Sequence, residues 1–336
     1  MILVNVGKQQ GKFVVSLDFE LYWGVRDTLS LEQYGNNIRG EQTVIPRLLE
    51  LFAKFDIRAT FAVVGFLFFE TKDELLAHVP GRLPHYEDRD FSPYEGHFNE
   101  VGASYREDIL HYAPHLIEQI RAQPQHELAT HTYSHYYCLE PGQTVADFEA
   151  DLQMAIRVAG ERGIQFRSLV FPRNQFNDDY LAVCRRHGIT CVRSNEQSWI
   201  YAPRKRKEET LLRRGLRLLD AYLPLSGMHV WDPKDVSPNE PVHVPSSSFL
   251  RPYLPALRPF EAIRQRRICA AMTEAARSGR VFHLWWHPHN FGVHQDENFA
   301  FLEAILRHYK RLNQRYGFSS CTMLEMARQI QALHGK

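Results

Sequence analysis

Phe13-Val-Val-Ser-Leu-Asp-Phe-Glu20 is the stretch from which the architecture can be read. Its apolar and β-branched residues predict a buried strand that ends in two acids. Downstream, Ile45, Leu48, Leu49 and Phe52 recur at helical spacing within residues 43–55, and residues 58–64 read as a second strand. The alternation continues with a helical region near residues 104–121 and a short strand at Glu127–Thr130. Thr144 then caps a helix that carries Asp147 at its third position. Residues 167–171 and 189–193 read as strands around a helix at 178–187 closed by Gly188. The C-terminal third predicts a helix at 259–278, a strand at 280–287, a long helix at 296–316 and a last helix at 322–333. Repeated βα units predict parallel strands with helices packed outside. Some seven units favour an α/β fold of the distorted or incomplete (β/α) barrel type. Residues 80–102 and 194–255 lack periodicity and read as insertions over the mouth of a single catalytic domain spanning 1–336.

Composition narrows the function classes. The 336 residues hold 40 Lys and Arg against 39 Asp and Glu, a net charge of +1. Such a chain has no global field to attract nucleic acid or an anionic membrane. The longest strongly apolar stretch without charge, residues 59–69, falls far short of the ~20 residues of a spanning helix, so no integral membrane segment is expected. Residues 1–10 lack the basic lead, apolar core and small-residue cleavage site of an export signal. Five cysteines with no Cys-x-x-Cys pair argue against a disulfide framework and a thiolate metal site. A reducing cytoplasm is the expected compartment, and a homo-oligomer is compatible with everything in the sequence.

Four segments at predicted strand ends carry candidate chemistry, since a βα barrel builds its site there. Asp18 and Glu20 lie two apart, on the same face of an extended strand and about 7 Å apart along it. His131 and His135, at i and i+4, would share a helix face and can ligate one metal ion. Pro172-Arg173-Asn174-Gln175 follows a strand. In Val281-Phe-His-Leu-Trp-Trp-His287-Pro288-His289-Asn290, alternation puts His283, Trp285 and His287 on one face. Alone, each has an ordinary explanation: a solvated acid, a chance histidine pair, a satisfied core histidine. Trp23 and Trp231 are the aromatic residues best placed to stack on a sugar ring, although aromatics mostly fill cores.

Taken in order, an Asp-x-Glu strand end, His-Thr-x-x-His, Phe-Pro-Arg-Asn and a final apolar strand ending in His resemble the polysaccharide deacetylases of carbohydrate esterase family 4. The resemblance spans residues 13–290. It implies a metal-dependent hydrolase that removes an N-acetyl or similar acyl group from a carbohydrate, such as a precursor of surface polysaccharide. His131 and His135 match the family's metal-binding histidines, and Asp18 matches its catalytic base. The usual second carboxylate directly follows that base, where this chain has Phe19, so the third ligand is Glu20 or Asp18. Arg173 resembles the arginine that holds the base, and His287 the histidine that acts as general acid. Arg173 or Asn174 would supply a backbone N–H to the oxyanion, with Asn174 as a substrate contact. Zinc is the first choice of divalent metal, although two histidines and a carboxylate suit others. Two rival readings stay open: a carbohydrate-binding pseudoenzyme, because of Phe19, and a 2-His-1-carboxylate Fe(II) oxygenase, which βα alternation disfavours.

Overall fold

A computed structural model describes residues 9–335; residues 1–8, most of the segment tested for an export signal, lie outside it. Nine strands form one sheet among the described residues. They are β1 (Lys12–Phe19), β2 (Ala59–Val63), β3 (Glu127–Thr130), β4 (Ser168–Leu169), β5 (Cys191–Ser194), β6 (Val242–Pro245), β7 (Ser248–Phe249), β8 (Val281–Trp286) and β9 (Ser319–Cys321). The path runs β6-β5-β4-β3-β2-β1-β8-β7, with β9 added beside the start of β1, and every pair is parallel. The two ends of that path are successive pieces of one stretch of chain. Its first half pairs with β5 and its second half with β8, while Ser246 donates to the Ser194 carbonyl and Ser247 to that of His283. The sheet therefore curls round to a single bent stave, a distorted barrel.

The helices between the strands are α1 (Leu31–Phe55), α2 (Lys72–Ala77), α3 (Pro114–Arg121), α4 (Val145–Glu161), α5 (Asp178–Arg186), α6 (Leu211–Asp220), α7 (Glu261–Ser278), α8 (Gln295–Tyr316) and α9 (Met323–His334). Two of them depart from the expected bounds. Helix α1 begins twelve residues before the expected 43, because Ser30 and Gln33 form a reciprocal capping box, a signal that apolar spacing does not carry. Of residues 104–121, only the part from Pro114 is helical. The expected insertion at 194–255 holds a barrel stave, β6 and β7, in addition to loops and α6.

Strand parity sorts the core into two layers. Phe13, Val15, Leu17 and Phe19 of β1, with Phe282, Leu284 and Trp286 of β8, belong to the large cluster shared with the helices. Val14, Ala62, Ala129, Val170, Cys191, Val242 and Val244 form a second, inner cluster, joined by Met323, Met326 and Ile330 of α9. Helix α9 closes the end where the strands begin. There the Met323 N–H donates to Thr60 Oγ1 at 2.9 Å and the Leu324 N–H to Glu127 Oε2 at 3.1 Å. The same parity that buries Val14 inward turns Ser16, Asp18 and Glu20 inward, toward the opposite, open end. No helix among the described residues is long and apolar enough to cross a membrane.

Candidate active site

A cavity of about 440 Å³ opens where the strands end, lined by Asp18, Glu20, His131, His135, Asn174 and His287, among others. At its floor, Glu20 Oε2 lies 3.2 Å from His131 Nε2 and 3.1 Å from His135 Nε2. All three side chains are buried, and one ligand atom from each falls within 4.8 Å of the others. His131 Nδ1 lies 2.8 Å from the Val170 carbonyl, which can only accept, so the ring donates there and Nε2 is the nitrogen turned toward Glu20. Glu20 Oε2 has no hydrogen-bond partner despite these short distances. Lone pairs facing one another in a buried pocket are the donor set a divalent cation fits.

The His-Thr-x-x-His segment reaches this arrangement without being a helix. Residues 131–135 form a tight loop in which Thr132 (φ 64°) and His135 (φ 58°) are left-handed. Several bonds hold the loop in this costly shape: Thr132 Oγ1 accepts the Tyr136 N–H at 2.7 Å, and Asp151 of α4 accepts the N–H groups of Tyr133 and Ser134 at 2.7 and 3.1 Å. The two imidazole centroids end 5.0 Å apart. The helix-face rationale for the pair is thus corrected, although the two residues do meet.

Glu20 is set by its neighbours. Its Oε1 accepts from His289 Nε2 at 3.0 Å, and His289 Nδ1 meets the Tyr34 hydroxyl at 2.9 Å. A Cβ on Gly24 would lie 1.9 Å from the Glu20 carboxyl carbon, so only glycine leaves this acid its place. Burial alone would push the Glu20 carboxyl up, but His287 and His135 outweigh it and hold the group well below the usual glutamate value.

Asp18 stands beside this group and is gripped by Arg193, whose Nη1 and Nη2 donate to Oδ1 and Oδ2, both at 2.6 Å. Burial again opposes ionisation, yet Arg193, with His131 and His287, holds the Asp18 carboxyl below the usual aspartate value. Arg193 also donates to Asn174 Oδ1 at 3.2 and 3.1 Å, and its guanidinium lies 4.1 Å over the Trp285 ring. His287 Nε2 is 3.7 Å from both Asp18 Oδ2 and Glu20 Oε1. Burial lowers its pKa, with partial recovery from the two acids.

Three expected assignments differ in the structure. Arg173 does not hold Asp18: it turns the other way, pairs with Asp27 and Glu140, and lies 4.3 Å over Tyr137. Its left-handed backbone (φ 54°) and that of Asn174 (φ 50°) aim the two consecutive side chains apart. Trp23 is fully buried against Phe66 and His111, donating to the His111 carbonyl, and does not line the cavity. Trp231 packs in the inner cluster and bridges Val281 at the start of β8, also outside the cavity. The aromatic residues that do line it are Phe249 and Trp285, 4.7 Å apart, with Tyr201. Asn174 lines the cavity, but its N–H is already donated to the Phe171 carbonyl. Arg193 and His289 also belong to the site and lie outside the sequence motifs. Parity at β5 and the histidine two beyond His287 were the available signals.

Residues 32–192 match the profile of the polysaccharide deacetylase family. A Mycobacterium smegmatis structure assigned as a polysaccharide deacetylase superposes with a TM-score of 0.62 at 14% identity, covering 98% of this chain and 94% of the other. A Pseudomonas aeruginosa PAO1 structure with the same assignment gives 0.58 at 11% identity, covering 97% and 92%. The Puue allantoinase also gives 0.58, at 12% identity, covering 98% and 93%. At these identities the superpositions establish the fold. Sequence comparison with curated proteins finds no significant match.

Proposed function

Because residues 32–192 match the profile of the polysaccharide deacetylase family, we propose that the chain is a metal-dependent hydrolase that removes an N-acetyl or similar acyl group from a carbohydrate. The observation that carries this reading is the convergence of Glu20, His131 and His135 beside an ionised Asp18. Glu20, His131 and His135 would hold the ion, with zinc the first choice. When bound, it polarises the amide carbonyl and makes water easier to deprotonate.

The protein's own groups supply the rest. Asp18, fixed by the Arg193 fork, takes the proton of the attacking water. Burial lowers the His287 pKa, and its Nε2, 3.7 Å from Asp18 Oδ2, is placed to pass the proton that Asp18 accepts on to the leaving amine. The Asn174 N–H is engaged, which leaves that of Arg173 to meet the developing oxyanion. Phe249 and Trp285 offer a stacking wall for a sugar ring. Phe19 argues little for an inactive binding module: it lies on the outward face of β1, and the inward-facing Glu20 provides the second carboxylate. Since the fold also carries an allantoinase, the substrate is read from the cavity.

The test is acetate release from N-acetylated sugars, measured with metal content, in the wild type and in Asp18→Asn. Loss of about 10²-fold or more in kcat at unchanged metal content supports the reading. A fully active variant removes Asp18 as the base, and a wild type without metal or turnover removes the hydrolase.

A further inference from the structure

The lining of the cavity outside the metal-ligand group is strongly basic, and the proposed hydrolysis of a neutral acetamide uses none of that charge. Seven Lys and Arg line the cavity against four Asp and Glu, in a chain whose overall charge is only +1. Two of the four acids are Asp18 and Glu20, already engaged at the reacting centre. Of the cations, Arg173 and Arg206 approach Asp27, and Arg217 pairs with Glu209 at 2.7 Å. Arg204, Lys205, Arg214 and Arg251 have no carboxylate partner within ion-pair distance among the described residues.

Arg251 is the informative one. It lies two residues beyond the end of β7, next to Leu250, whose N–H donates to the Trp285 carbonyl at 2.8 Å, so its backbone is anchored to the barrel beside the stacking wall. Its guanidinium is half-buried at the cavity edge, 5.9 Å over Phe249, and makes no hydrogen bond within the protein. A half-buried guanidinium with all its donors free, placed among other unpaired cations, is a site for a planar or tetrahedral oxyanion.

We propose that this cavity binds an N-acylated sugar that carries a phosphate group, with Arg251, Arg214 and the Arg204-Lys205 pair holding the phosphate while the acyl group lies at the metal ligands. The inference rests on the hydrolase reading above for the role of the second half of the cavity. A phosphate accounts for several unpaired guanidinium groups at once, because it has enough acceptor oxygens to engage more than one fork. Sugar phosphates, nucleoside diphosphate sugars and lipid phosphate-linked sugars all present this chemistry.

Binding is tested apart from turnover by calorimetry with N-acetylglucosamine 1-phosphate and with N-acetylglucosamine, using chelator-treated full-length protein. The phosphorylated sugar should bind about tenfold to a hundredfold more tightly, the preference shrinking as salt rises from about 0.05 to 0.5 M. Arg251→Gln should reduce that preference at least about tenfold, whereas Arg277→Gln, an exposed cation on α7, should leave it in place. With metal restored, the ratio of kcat/KM for phosphorylated over neutral substrate should fall in the same way in Arg251→Gln. Running that assay with the 1-phosphate, a UDP-linked sugar and a detergent-dispersed polyprenyl phosphate-linked sugar identifies the source. Equal binding of both sugars, or a preference indifferent to Arg251→Gln, overturns the phosphate site and leaves the hydrolase standing. Phosphate-selective binding without turnover of any N-acyl sugar leaves the subsite standing and removes the hydrolase.

Discussion

Asp18 and Arg193 meet through two parallel 2.6 Å contacts, and much of the site's order follows from that fork. The same guanidinium reaches Asn174 and Ser16, and Ser16 Oγ lies 2.8 Å from His283 Nε2. A lysine keeps the charge but has no planar fork to make these contacts together. Arg193→Lys is therefore expected to lower kcat about 10–100-fold with metal content unchanged, measured by steady-state kinetics and metal analysis. Full activity would reduce Arg193 to a structural cation. At Gly24 the argument is steric: any side chain collides with the Glu20 carboxyl. Gly24→Ala should weaken metal binding by about 10–100-fold, read by chelator competition, while circular dichroism stays native. Unchanged affinity would mean that Glu20 is not a ligand or has another place to go.

At the scale of elements, the loop bearing His131 and His135 depends on a helix that touches no reacting atom. Asp151 of α4 is buried, and burial raises its carboxyl pKa to about 6, against which the Ser134 and Tyr133 bonds work. Its oxygens still accept two loop N–H groups and the Ser134 hydroxyl. Asp151→Asn replaces one acceptor with a donor that faces an N–H. The expected result is a loosened loop, metal affinity reduced about tenfold or more, and a fold that survives in thermal melts. This also explains what the sequence could and could not yield. The pairing of His131 with His135 was legible from spacing, but not its left-handed geometry, which depends on contacts from α4 and β2. The inward set His283, Trp285 and His287 was legible because a strand has one simple parity. The stave at Val242–Phe249 was not, since Pro245 and three serines make it look like a loop and only its neighbours β5 and β8 define it. A motif carries residue types and so points to Arg173, whereas the arginine that reaches Asp18, Arg193, is set by which strand face it occupies.

Across the whole molecule, the barrel separates its ends, with α9 closing one and the cavity opening at the other. A buried histidine and a half-buried one, in different parts of the fold, tie its stability to pH. His283 lies in the barrel interior between Ser16 and the Pro245 carbonyl; burial first, then Arg193, pushes its pKa down to about 3. His126 lies near the start of β2, where Nδ1 accepts the Ala59 N–H at 3.1 Å; burial first, then Arg58, pushes it to about 4. Both are neutral in the folded chain and free to protonate near pH 6.5 once unfolded. The unfolded state thus binds the extra protons, so stability present above pH 6.5 is lost as pH falls toward the folded values. The slope is up to about 1.4 kcal/mol per pH unit for each group. His283→Gln can preserve both hydrogen bonds, and His126→Asn can preserve the one from Ala59. In urea unfolding of metal-free protein between pH 7 and 4.5, each variant should lose stability less steeply than wild type. The double variant should show the sum, because the two sites share no partner. Lines parallel to wild type would mean that neither ring is held neutral, and the acid sensitivity would then belong to other groups.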